Sequence, residues 1–225
     1  MRNKISHGHF NAMTSIIAKS LSIMPKFVIK NIYNIFNNTG GYLGLGIRYV
    51  CVRNLAKKCG DNVALFPNTV IKHIESLELG NNVSIHPYCY IDAIGGLSIG
   101  DNVSIANHCS LISFGHTWDD ERQPIKYNPL IMTPINIASD VWIGCGSRII
   151  GPCNIDSRTI IAAGAVVKGN LSGKAIYGGV PARMIKQLLN TSNYPNKLGG
   201  GKWLIFSVLS SASNNVKISH YSRCA

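Results

Sequence analysis

Acidic side chains are scarce in this chain. Its 225 residues hold 10 Asp+Glu against 22 Lys+Arg, and charged residues make up only 14% of it. The net charge of +12 favours an anionic partner: nucleic acid, a phosphorylated cofactor or an anionic membrane face. Charge alone does not choose among these, but no cluster of basic and aromatic residues demands nucleic acid. No apolar run reaches the 18 or more residues of a membrane span, so none is expected. The N-terminus lacks a signal peptide with a cleavage site. The 7 cysteines form no CxxC pair and no Cys/His zinc spacing. Free, packed thiols suit a reducing cytosol better than a secreted disulfide scaffold.

What is present is a repeat. From Ile137 the positions Ile143, Ile149, Ile155, Ile161 and Val167 follow in steps of six, all β-branched. Four residues after each come Val141, Ser147, Cys153, Thr159, Ala165 and Leu171, mostly small. Earlier, Cys59, Leu65 and Ile71 step by six, as do Leu79, Ile85 and Ile91, then Ile99, Ile105 and Leu111. These triplets recur every 20 residues, as CGDN, LGNN and IGDN at 59, 79 and 99 display. A period of six is neither the 3.6 of a helix nor the 2 of a strand. Three sixes close one triangular coil, with the aliphatic residue inward and the small residue in the tight space beside it. Coils then stack through backbone ladders, as in other solenoids. The competing reading is a β-sandwich of short strands.

The repeat breaks once. Counting on from Leu111, the next hexad falls at Thr117, but it starts at Ile137, a displacement of 20. Residues 117–136, approximately, therefore read as a loop thrown out of one corner. It carries Trp118, Asp119, Asp120, Glu121, Arg122 and three prolines. Long loops on rigid scaffolds are where function concentrates. His116 stands at the root, where the scaffold can fix its geometry.

The hexads, the loop, the GH at its root, VWIG after it and GGVPARMIK at 178–186 together resemble the left-handed β-helix, hexapeptide-repeat acyltransferases. The likeness is in particular to the O-acetyltransferases of sugars and surface polysaccharides, and it covers about residues 57–188. It implies an all-β fold, a left-handed parallel β-helix with an N-terminal helical segment and one projecting loop. It further implies acetyl-CoA as co-substrate, no metal, a saccharide acceptor, a cytoplasmic setting, and a homotrimer with active sites between neighbouring subunits. By resemblance His116 is the general base, a task suited to a side chain that titrates near neutrality. The backbone N–H of Cys145 would face the oxyanion. Trp142, Gly144, Ala162, Ala163 and Gly164 would line the donor groove. Lys168 and Arg183 would meet the phosphates of coenzyme A. The family often reads VVTKD where this chain reads VVKGN, so Lys168 stands one residue earlier than the common lysine. Asp92, Trp118 and Asp119 are the acceptor candidates, with Asp120 and Glu121 beside them. His73, His86 and His108 lie within hexads and read as solvated side-face residues.

Three alternatives share the fold. One is a serine or amino-sugar acetyltransferase. Another is a zinc hydratase, which needs three converging histidines that His86, His108 and His116 do not supply at the spacing of 20. The third is a non-catalytic β-helix binding protein.

The two ends differ from the middle. Residues 1–56 read as a helical capping segment, with Ile16, Ile17, Leu21, Met24, Val28, Ile32 and Ile35 at roughly helical spacing and Pro25 dividing it. IRYVCVRNLAKK at 47–58 mixes apolar residues with Arg48, Arg53, Lys57 and Lys58. Such a segment could cover the mouth of the β-helix, touch anionic lipid at the inner face of a membrane, or do both. Residues 189–225 read as a linker and tail, with WLIFSVLS too short to span a membrane.

Overall fold

The structure, a computed structural model, describes Ala18 and residues 21–188. Ile16, Ile17 and the expected linker and tail at 189–225 lie outside the described residues. Pro25 does divide the N-terminal segment: a turn closes with Met24 N–H on the Leu21 carbonyl, and helix α1 (Lys26–Ile35) begins after the proline. Helix α2 (Gly41–Leu55) follows and buries Arg48, Tyr49, Val50, Cys51, Val52 and Leu55. It packs on the first strands of the solenoid, so its apolar residues close the end of the core. Arg48 is fully buried. Its guanidinium donates to the carbonyls of Leu65, Phe36, Asn37 and Thr39, which ties α2 to the end of α1 and to the first coil. Burial lowers the Arg48 pKa from its ordinary value.

From Lys58 the chain winds into a parallel β-helix of about six coils. The first side of the triangle stacks Lys58–Cys59, Leu77–Leu79, Leu97–Ile99 and Ile135–Ile137. The second stacks Ala64–Leu65, Ser84–Ile85, Ser104–Ile105, Val141–Ile143, Thr159–Ile161 and Ala175–Gly178. The third stacks Val70–Lys72, Tyr90–Asp92 and Ser110–Ile112. Two later strands, Arg148–Ile155 and Val166–Leu171, run along the third side and turn into the first side of the next coil. The hexad aliphatics fill the interior: Leu65, Ile85, Ile105, Ile143 and Ile161 form one column with no exposure. Each such burial is worth about 1.5–3 kcal/mol.

Three corners join the sides. Corner one, between the first and second sides, carries a ladder in which Asn62 donates to Asn82 at 2.9 Å and Asn82 to Asn102 at 3.1 Å. These asparagines hold positive φ, near 56–58°, a conformation that asparagine tolerates better than most residues. Corner two, between the second and third sides, repeats a turn whose left-handed residue is Asn68, Tyr88, His108, Gly146 and Gly164 in successive coils. Corner three holds the two extra residues of the early coils and ejects the loop. The excursion leaves after Ile112 and returns at Ile135, so Ile135–Ile137 belongs to the coil and the loop ends two residues earlier than its expected bound of 136. Its base is an antiparallel hairpin, Phe114–His116 against Leu130–Met132.

Candidate functional site

Apart from Trp142, the expected site residues fall into two groups at two different corners. His116 ends the first hairpin strand at corner three, opposite Leu130, and is exposed. Its ring meets Phe114 edge-on at 6.3 Å. Trp118, which is 71% exposed, and Asp119 follow it into the loop. The loop tip is held from inside. Buried Asn128 accepts from the Asp120 N–H and donates toward the carbonyls of Asp120, Gln123 and Pro124. Asp120 is thereby taken up in loop structure, and hydrogen bonds from Arg122 hold its carboxyl below the usual range. Lys168, exposed, also lies at corner three, where its strand turns.

Asp92 sits at the same corner below the loop root, but it does not stand open. It is 6% exposed, and its carboxylate pairs with His73 Nδ1 at 2.8 Å and accepts from the Ile94 N–H at 3.3 Å. The Ser113 hydroxyl donates to the Asp92 carbonyl at 2.8 Å, linking this pair to the start of the loop. His73 is thus not a solvated side-face residue. It forms a histidine–carboxylate dyad whose ring is 42% exposed. The two residues stand 19 apart in sequence, and the pairing of Lys72 with Asp92 across the third side sets His73 beside that carboxylate.

Corner two holds the other group. Gly144, Ala162 and Gly178 stack there on successive coils. A Cβ on Gly144 would come within 2.6 Å of the Ala163 nitrogen, and one on Gly178 within 3.0 Å of the Ala162 Cβ. Small residues are therefore required for the backbones to approach, and exposed Ala163 and Gly164 follow beside them. Cys145 is exposed at this corner. Its carbonyl accepts from Gly164 N–H at 2.8 Å, while its own N–H takes no part in the ladder. Arg183, exposed, lies beside Gly178 at the end of the same column. A column of small residues beside an exposed guanidinium suits an extended, phosphate-bearing arm.

Trp142 lies on the outer second side, three residues before Cys145. It lines a depression of about 250 Å³ with Asp140, Arg158, Ser104 and Ile160. Arg158 and Asp140 pair across it at 2.9 Å. Corner two also carries stacked rings that the sequence did not suggest: Phe66 on His86 at 4.7 Å between centroids, and Tyr88 on His108 at 5.1 Å. Coil stacking at a 20-residue period puts each pair in register. Among the described residues no group of three His, Cys, Asp or Glu could hold a metal ion.

Within one chain His116 and Cys145 are not brought together. They occupy corners at opposite ends of the third side, roughly 15–20 Å apart by strand geometry.

No family model matches the chain. A Mycobacterium tuberculosis protein, Rv3034c, is 32% identical over 76 residues, which is 34% of this chain and 25% of that protein. A Saccharomyces cerevisiae protein, YJL218W, is 35% identical over 86 residues, which is 36% of this chain and 42% of that protein. Both carry provisional acetyltransferase names, and the chain spans less than half the length of either. Among solved structures, the hexapeptide-repeat acetyltransferase VCA0836 of Vibrio cholerae, complexed with acetyl-CoA, is 24% identical with a TM-score of 0.65, covering 72% of this chain and 86% of that one. A galactoside acetyltransferase in complex with coenzyme A is 23% identical with a TM-score of 0.67, covering 77% and 86%. A maltose O-acetyltransferase from Clostridium difficile 630 is 24% identical with a TM-score of 0.63, covering 76% and 89%. The chain therefore has the left-handed parallel β-helix fold of these hexapeptide-repeat acetyltransferases and resembles their family in sequence.

Proposed function

We propose that the chain is an acetyl-CoA-dependent O-acetyltransferase that acts on a saccharide hydroxyl, as a homotrimer with each site between two subunits. The observation that carries this reading is the division of the site residues. Corner two offers a column of small residues, a backbone amide outside the ladder and a guanidinium. Corner three offers a loop with a histidine at its root. Neither half suffices alone, and a neighbouring copy would bring corner three of one subunit to corner two of the next. The similarity to acetyltransferases, some holding acetyl-CoA or coenzyme A, supports the donor.

The pantetheine arm would lie along Gly144, Ala162, Ala163 and Gly164, with Arg183 at the phosphates. Lys168, at the other corner, would reach a phosphate only from a neighbouring subunit. Trp142 would wall the arm from the second side. In the reaction the acceptor O–H gives its proton to His116 as its oxygen attacks the thioester carbon. The carbonyl oxygen gains charge and accepts from the Cys145 N–H. The C–S bond then breaks, and His116 returns the proton to the thiolate, leaving an ester and free coenzyme A. No covalent enzyme intermediate is required. Trp118 and Asp119 would meet the sugar from the loop. Asp92 would act at one remove, fixing His73 so that its free ring nitrogen meets an acceptor hydroxyl.

We place the protein in the cytoplasm. Among the described residues no helix is long and apolar enough to cross a membrane. Exposed Ile23, Met24 and Phe27 beside Lys26 and Lys30 would allow peripheral contact with an anionic inner face.

Calorimetry with acetyl-CoA on wild type and Arg183→Ala tests the reading. Micromolar binding that weakens in the variant is expected, followed by thiol release when maltose or a methyl β-galactoside is added. Absence of binding to wild type would overturn it in favour of a non-catalytic β-helix.

A further inference from the structure

We propose that Ser147 is a positioning residue for this reaction, acting on the Cys145 amide through the carbonyl of Gly144. The inference rests on the role given above to that amide. Its basis is one peptide unit with its two ends committed in opposite directions. The Gly144 carbonyl accepts from the Ser147 hydroxyl at 2.8 Å, shorter than that hydroxyl's 3.1 Å approach to the Ala162 carbonyl, and from the Cys109 thiol at 3.2 Å. Ser147 and Cys109 have no exposure, so neither donor can turn to water. The cis peptide bonds of the described residues are Gly151–Pro152 and Val180–Pro181, so the bond between Gly144 and Cys145 is trans. In a planar trans peptide the N–H points away from the C=O. A carbonyl drawn inward by two buried donors therefore fixes the Cys145 N–H outward, on an exposed residue. Donation into the carbonyl also polarises the amide and strengthens its N–H as a donor.

The neighbouring coils show what is special here. The interior place of Ser147 is held by Thr69, Cys89 and Cys109 below it and by Ala165 above it. Thr69 donates to the Phe66 carbonyl at 2.9 Å and Cys89 to the Ala106 carbonyl at 3.1 Å, so a ladder of hydroxyl and thiol donors runs up the corner. Among these turn carbonyls, Gly144 takes two different side chains as donors. At the far end of the matching peptide the first two coils carry Pro67 and Pro87, which have no N–H. The ladder is structural there. In the coil of Cys145 it orients a donor that the first coils do not possess.

The same comparison supplies variants that fit. Ala165 shows that alanine is accepted at the place of Ser147, and Thr69 that threonine is. Pro67 and Pro87 show that proline is accepted at the place of Cys145, before a left-handed residue. The full chain is assayed by thiol release from acetyl-CoA with maltose or a methyl β-galactoside as acceptor. Ser147→Ala should lower kcat about tenfold, a fraction of the cost of deleting an oxyanion donor outright, with KM for acetyl-CoA within about twofold. Ser147→Thr should restore kcat. Thr69→Val, which removes the equivalent hydroxyl far from the reacting corner, should lower Tm alone. A Ser147→Ala kcat within about twofold of wild type, or an equal kcat loss in Thr69→Val, would overturn the inference. Cys145→Pro separates the two levels. If it is inactive while Ser147→Ala is normal, the positioning role fails and the amide stands. If it is fully active, the amide reading itself fails, and the inference with it.

Discussion

His116 has an edge-on phenylalanine for company and, among the described residues of its own chain, no carboxylate bonded to it. Its proposed role is therefore set by the loop root and by whatever a neighbour brings, and it can be deleted without leaving a buried partner unpaired. His116→Ala should keep the melting temperature and the affinity for acetyl-CoA while turnover falls by about 10² or more. Wild-type-like rates would remove the base from the mechanism. The thiols give a second residue-scale expectation. Burial pushes Cys51 up to about 11 and Cys59 and Cys153 up to about 12. A raised thiol pKa keeps the reactive anion scarce until pH approaches that value, so these three stay protonated through the neutral range. Cys89 and Cys109 are buried as well, and Cys145 is exposed. In a Cys224→Ser background, a maleimide at neutral pH should label Cys145 first, and acetyl-CoA should slow that labelling. Undiminished labelling at saturating acetyl-CoA would place the donor elsewhere.

At the scale of strands and corners, the asparagine ladder is the clearest device. Asn82 both donates to Asn102 and accepts from Asn62, and it sits at φ 56°. Asn82→Ala loses two exposed hydrogen bonds and puts alanine, which tolerates the left-handed region less well than asparagine, at that position, for about 1–2 kcal/mol in all. Asn82→Gly loses the same bonds without that backbone strain, so denaturant unfolding should show it less destabilised. Equal losses would assign the whole effect to the bonds. This corner also shows what could be read from sequence. The recurrence of Asn62, Asn82 and Asn102 at one period, and of Leu65, Ile85 and Ile105 at another point of the same coil, made the solenoid legible because every coil repeats one local environment. The His73–Asp92 dyad was not legible. It depends on His73 taking a left-handed turn just past its strand, which aims its ring at the carboxylate at the end of the next coil's strand, and the hexad pattern does not specify that turn. The Gly144 carbonyl clamp escaped for a different reason. Ser147 and Cys109 satisfy the small-residue rule of the repeat, and that rule is silent about which hydroxyl or thiol finds a carbonyl.

Whole-molecule geometry decides whether the two halves of the site can serve one reaction. Counting hexads places Cys145 and His116 one side of the triangle apart, and no hinge within a closed coil would join them. A site built between copies has a consequence that a site within one chain lacks. His116→Ala retains corner two, and Cys145→Pro retains corner three, so each variant carries the half that the other has lost. Each should be inactive alone. In trimers assembled from equal amounts of both, an interface is intact where the intact histidine of one subunit meets the intact amide of the next. Random mixing makes that true for about a quarter of interfaces in a cyclic assembly, so activity should return to about a quarter of wild type. The measurement is thiol release after co-expression of the two variants, with each expressed alone as the baseline. Activity that never rises above that baseline, in a mixed assembly of confirmed composition, would mean that corner two and corner three do not meet across a subunit boundary. The His116 loop would then have to act on a site that its own chain completes.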